Sequence, residues 1–128
     1  MKAKKLTDKE TEIMQMLWQR GALTVREMLE GYPEPKPHFN TVSTTVRILE
    51  QKGHVAHEEH PGGYRYYAVA RIEDFRRRTL AEVVKNYFNN SYRSAISALV
   101  EEEKISVDEL RDLIEMIDRK SEDRDNNN

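Results

Sequence analysis

The sequence predicts a mainly α-helical chain with one small β-hairpin, organised as a winged helix-turn-helix unit followed by a three-helix unit. Three observations carry this prediction. Three segments open with a Ser or Thr followed three residues later by Glu: Thr7 to Glu10, Thr24 to Glu27 and Ser106 to Glu109. At that spacing the hydroxyl accepts from an early helical N–H while the carboxylate reaches back to the cap's own N–H. Second, Pro33, Pro35 and Pro37 separate a short helical stretch from an amphipathic one. Third, two β-prone runs flank His60-Pro61-Gly62-Gly63, the punctuation of a hairpin.

Taken in order, the first helix runs from the Thr7 cap to about Gln19, with Ile13 and Leu17 one turn apart and Gly21 just beyond. The second opens at Thr24, turns Val25, Met28 and Leu29 inward, and stops at Gly31 and the proline run. The third begins near Phe39 and ends at Lys52-Gly53. Its inward stripe is expected to be Phe39, Val42, Val46 and Leu49. The strands are expected at His54 to Glu58 and Tyr64 to Val69. A fourth helix covers Asp74 to Phe88, a fifth follows a Ser91 cap, and a sixth runs from Val107 to about Lys120. Ser121 to Asn128 is wholly polar and is expected to be a disordered tail. The expected division is 1–72 for the winged helix, 73–120 for the helical unit and 121–128 for the tail.

The chain has 128 residues, with 21 Lys plus Arg, 23 Asp plus Glu and no Cys. That excludes disulfides, thiolate metal sites and cysteine nucleophiles. The longest apolar run, Tyr66 to Ala70, is far short of the ~20 residues of a membrane helix. No apolar segment follows the basic start MKAKK, so a signal peptide is not expected, and the chain reads as a cytoplasmic protein without membrane insertion. The net charge of -2 hides an asymmetry: residues 1–78 carry +3 and residues 79–128 carry -5. A slightly basic head and an acidic second half suggest two tasks on one chain.

The third helix is the candidate reading element. With residues about 100° apart, the face opposite its apolar stripe holds Asn40, Thr44, Arg47 and Gln51, with Thr41 and Ser43 on the flanks. Asn can pair adenine at two points and a Thr methyl can meet a thymine methyl. Recognition helices read with their N-terminal residues, where Asn40, Thr41, Ser43 and Thr44 cluster. The bland alternative is an ordinary solvated face. Ile48 lies on the outer flank, where it either touches a thymine methyl or, the favoured reading, packs beneath the hairpin.

Arg47, the wing glycines Gly62 and Gly63, and Arg65 are candidate phosphate contacts, which position without specifying sequence. Lys2, Lys4, Lys5 and Arg76-Arg77-Arg78 are further basic candidates. His54, His57 and His60 invite a metal hypothesis, but strand alternation sets His54 and His57 on opposite faces, and no metal is expected. Without a phosphate-cradling loop or nucleophile elbow, the chain is not expected to be an enzyme or to take a cofactor or small-molecule substrate.

The second half implies a dimer. A chain this size has a radius of gyration of roughly 14 Å, whereas successive major-groove faces lie ~34 Å apart. A two-fold partner spans that distance through a self-complementary apolar surface. The candidates for it are Leu80, Val83, Val84, Phe88, Ile96, Leu99, Leu110, Leu113 and Ile117.

Several stretches together resemble the penicillinase-repressor family of winged-helix transcriptional regulators over about residues 5–120. They are Leu6-Thr7-Asp8 with Ile13-Met14 and Leu17-Trp18, Asn40 to Val46 running to Lys52-Gly53, Arg65-Tyr66-Tyr67, Phe88 to Ser91, and Ile105-Ser106 to Glu109-Leu110. The resemblance implies a homodimeric repressor on palindromic operators ahead of resistance genes, commonly β-lactamase operons. It implies base readout from Asn40, Thr41, Ser43 and Thr44, and derepression by a membrane-bound sensor protease cutting in the fifth helix. The aligned bond here is Ala98-Leu99, where the family's cleavage pair is Asn-Phe. The alternatives are a winged-helix protein-interaction module, or a ligand-responsive regulator not controlled by proteolysis.

Overall fold

The computed structural model describes residues 6–126. Six helices and one hairpin occur in the order α1 (Asp8–Arg20), α2 (Val25–Glu30), α3 (Phe39–Gln51), β1 (Val55–His60), β2 (Gly63–Ala68), α4 (Ile72–Tyr87), α5 (Tyr92–Glu101) and α6 (Val107–Asn126). The three expected capping boxes all form. Thr7 Oγ1 accepts from Glu10 N–H at 3.2 Å while Glu10 accepts from Thr7 N–H at 2.8 Å. Thr24 with Glu27, and Ser106 with Glu109, repeat the pattern.

The chain divides into two units between Arg77 and Arg78, inside α4 rather than at residue 72. The reason is a tether. Trp18 Nε1–H donates to the Ala70 carbonyl at 2.9 Å, and the Trp18 ring meets Phe75 at 5.3 Å between centroids. The first turn of α4 therefore belongs with the winged unit.

In that first unit Ile13, Met14, Leu17, Leu23, Met28, Val42, Val46, Leu49, Val55 and Tyr66 form one buried cluster. Each fully buried aliphatic side chain contributes about 1.5–3 kcal/mol relative to exposure. Glu10 is also buried, and Lys52 Nζ bonds both of its carboxylate oxygens at 2.7 and 2.9 Å, which joins α1 to the end of α3. Burial pushes the Glu10 carboxyl up, but Lys52 and the N–H and hydroxyl of Thr7 together hold it below its ordinary value.

The hairpin pairs antiparallel from Val55↔Ala68 to His60↔Gly63, longer at the turn end than the sequence suggested. Pro61 starts the turn and Gly62, at φ 90°, takes the left-handed position that a side chain would strain. Leu23 adds a backbone bridge to Tyr66, donating at 2.9 Å and accepting at 2.8 Å. That bridge closes the sheet edge against the start of α2.

Within the second unit, Ser91 caps α5 by accepting from Ser94 N–H at 3.1 Å. α6 continues to Asn126, so the expected disordered tail is helical as far as that residue; Asn127 and Asn128 lie outside the described residues. Polarity does not end a helix, and this stretch contains no Gly or Pro that would. Among the described residues no helix is long and apolar enough to cross a membrane.

Candidate nucleic-acid interface

The first turn of α3 has no Ser, Thr or Asp at its N-cap. His38 serves instead, its Nδ1 accepting from Asn40 N–H at 3.1 Å. In that state Nδ1 is the unprotonated ring nitrogen, because only a lone pair can accept. The carbonyl of His38 takes the amides of Thr41 and Val42 at 3.0 and 3.3 Å. The helix thus begins at a defined point, with Asn40 and Thr41 in its first turn.

Val42, Val46 and Leu49 face the core and are fully buried. The opposite side carries Asn40, Thr44 and Arg47, all exposed, with Thr41 and Ser43 half-buried on the flanks. Thr45 Oγ1 donates back to the Thr41 carbonyl at 2.7 Å, and Arg47 Nε–H reaches the Ser43 carbonyl at 3.4 Å. The outward row offers a carboxamide, a hydroxyl and a guanidinium along one helix face. These are the groups that pair base edges and phosphates. Ile48 is 40 % exposed and is not sealed beneath the hairpin.

Phe39 corrects the expected inward stripe: it is 44 % exposed. As the first helical residue it overhangs the end of the core and lines a cleft of about 530 Å³ with Arg26, Ser43, His60, Gly62 and Tyr64. The sequence reading does not place Arg26 or Tyr64 at the reading site, and it weighs His60 there only as a metal candidate and as the start of the wing loop. Only the folded wing brings them beside α3. On the other flank of α3, a cleft of about 680 Å³ is lined by Glu12, Met16, Tyr32, Pro33, Thr41 and Thr45.

The wing is tied to α3 by His57. Its Nδ1 pairs with a Glu50 carboxylate oxygen, and its ring packs on Tyr64 and Tyr66 at 4.4 and 5.7 Å between centroids. Tyr64 and Tyr66 alternate onto one strand face, but Tyr66 is buried and Tyr64 is half exposed. Burial and the nearby Glu50 carboxylate push the Tyr66 phenol up, against the opposing pull of Arg47. His57 is thus a packing and pairing group. Among the described residues no cluster of three His, Asp or Glu could hold a metal ion.

The candidate phosphate contacts differ in access. Gly62 and Gly63 sit on an open turn with nothing within 4 Å of where a Cβ would lie. Arg47 is exposed, whereas Arg65 is half-buried with its Nε enclosed. Near Arg65, the N–H and hydroxyl of Thr24 hold the Glu27 carboxyl below its ordinary value, and the charges of Arg65 and His60 add to that. Arg76, Arg77 and Arg78 are exposed on α4, with Arg77 3.9 Å from Asp74. Lys2, Lys4 and Lys5 lie outside the described residues.

In the second unit most of the candidate dimerisation residues are uncovered. Leu80, Val83, Ile96, Leu99, Leu113 and Ile117 are exposed, and Phe88 and Leu110 are half-buried. Val84 departs from the expectation: it is 1 % exposed and so is packed inside a single chain. Ala98 is half-buried and Leu99 exposed, and their bond lies within the regular helix α5.

Residues 6–119 match the family described as penicillinase repressor. The methicillin resistance regulatory protein MecI of Staphylococcus aureus (strain N315) is 21% identical over 120 residues, covering 93% of this chain and 98% of that protein. The protein of the same name from Staphylococcus epidermidis matches to the same degree, and that from Mammaliicoccus sciuri is 20% identical over the same length. With its winged fold, its outward polar row on α3 and a match across nearly its whole length, the chain belongs to the penicillinase repressor family.

Proposed function

We propose that this chain is a DNA-binding transcriptional repressor, working in the cytoplasm as a homodimer on a palindromic operator that controls a resistance operon, such as one for β-lactamase, or a stress operon. The observation that carries the reading is the exposed row of Asn40, Thr44 and Arg47 beside the open wing cleft. Asn40, Thr41, Ser43 and Thr44 read bases, while Arg47, Gly62, Gly63 and Arg65 contact phosphate. The uncovered apolar residues of α4 to α6 supply the self-complementary surface of the dimer.

Derepression comes from cleavage near Ala98-Leu99 by a membrane-bound sensor protease. Because that bond lies inside α5, local unwinding must precede cutting, since a protease needs extended backbone.

The test is selection of duplexes from a random-sequence pool by the purified protein, then titration of the Asn40→Ala and Thr44→Ala variants. Each variant should lose about 1–3 kcal/mol of affinity for the selected duplex, with thermal stability within about 0.5 kcal/mol of wild type. Failure to enrich any sequence would overturn the reading. Unchanged DNA affinity in the variants, coupled with loss of a protein partner, would favour an interaction module.

A further inference from the structure

The connector between α2 and α3 holds an anchor that lies outside the reading face. Lys36 Nζ donates to the carbonyls of Leu29, Tyr32 and Glu30 at 3.0, 3.1 and 3.3 Å. An ammonium has three donors, and all three are used on one helix end. α2 has only six residues, so its last carbonyls have few intrahelical partners, and its C-terminus carries the negative end of the helix dipole. Lys36 meets both needs at once.

The neighbours of Lys36 make the anchor directional. Pro35 and Pro37 flank it, and Pro37 restricts Lys36 itself to extended backbone. Beyond Pro37, His38 is the N-cap whose Nδ1 and carbonyl hold the amides of Asn40, Thr41 and Val42. A stiff link of two residues therefore separates the ammonium from the first turn of α3. Releasing the ammonium frees the connector at its middle and lets that turn shift or fray.

We propose that Lys36 is a positioning residue for DNA reading: by holding the end of α2 it sets where α3 begins and so the placement of Asn40 and Thr41. This role rests on the repressor reading. It differs from a phosphate contact, which would strengthen binding to every sequence alike.

The experiment compares wild type, Lys36→Met and Lys36→Arg in the full-length protein. The probes are the duplex that wild type enriches from a random pool and a scrambled duplex, each titrated across a salt series. Amide exchange is measured on the free proteins. Lys36→Met should weaken binding to the enriched duplex about tenfold, the order expected for losing hydrogen bonds to a charged group. Binding to the scrambled duplex and the salt slope should stay at wild-type values. The amides of Asn40, Thr41 and Val42 should exchange faster, and Lys36→Arg, which keeps the charge and several donors, should recover most of the loss.

Equal weakening on both duplexes with a salt slope shallower by about one would make Lys36 a phosphate contact and overturn the proposal. Unchanged affinity for the enriched duplex would overturn it as well. If wild type enriches no sequence, the repressor reading fails by itself. The exchange data then decide the anchor: faster exchange at Asn40–Val42 in Lys36→Met supports it and unchanged exchange overturns it.

Discussion

The two units of this chain are built from helices with the same local signals, yet they end differently. Glu10 and Glu109 play the same part in a capping box, at the starts of α1 and α6. Glu10 is buried and also bonded to Lys52 from the far end of α3. Glu109 is exposed, and only the Ser106 N–H and hydroxyl lower its carboxyl, against a small opposing effect of burial. The same contrast holds for apolar residues. The winged unit buries ten in one cluster, whereas Val84 is the one apolar residue buried in the second unit among the described residues. A helix can thus be well specified locally while its apolar side chains stay exposed in the single chain. In the winged unit other parts of the same chain cover them; in the helical unit most remain uncovered.

Core truncation in the winged unit should have the largest effect. Leu49→Ala removes a fully buried side chain from α3 and should cost about 3 kcal/mol in denaturant unfolding. The loss should not depend on protein concentration, and a concentration-dependent loss would break the contrast between the units.

Lys52→Met should cost about 2 kcal/mol near neutral pH, less than the ~3–5 kcal/mol of breaking a fully buried pair because Lys52 keeps some access to water. The pH dependence has a defined sign. Glu10 titrates below its ordinary value of 4.5 in the folded state, so the unfolded state takes up a proton first as pH falls. The stabilisation is fully present above about pH 4.5 and is lost as pH drops through the folded value. Unfolding curves of wild type and Lys52→Met should therefore converge in acid, and a gap that stays constant would exclude the ion pair as its source.

The smallest effect on the isolated chain should come from Leu113→Ala with Ile117→Ala. Both side chains are already exposed, so helix content and winged-unit stability should barely move. Self-association should weaken by about tenfold or more if these residues sit at the centre of a dimer surface. Sedimentation across a concentration series reads this directly, and wild-type association in the double variant would move the interface elsewhere on α4 to α6.

Much of this was legible from short spacings. The three capping boxes, the Ser91 cap, the Pro61-Gly62 turn and the outward row of α3 are effects of residues two to four apart, and the sequence displays them directly. Other features depend on partners far along the chain. Glu10 and Lys52 are separated by 42 positions, and Trp18 and Ala70 by 52. No pattern in either segment announces the other. The same limit explains Phe39, which fits the apolar periodicity of α3 but lies past the end of the core.

The sequence by itself determined the order of elements, where most helices begin and which face of α3 carries hydrogen-bonding groups. Those properties come from backbone hydrogen bonding and helical periodicity, which act within a turn or two. The tertiary structure alone decided which apolar residues are covered, that the boundary between units falls inside α4, and that His57 ties the wing to α3. It also decided that the Lys36 ammonium reaches back to three carbonyls at the end of α2. Each of these depends on where the chain returns in space, and burial is a property of the assembled surface rather than of any one segment.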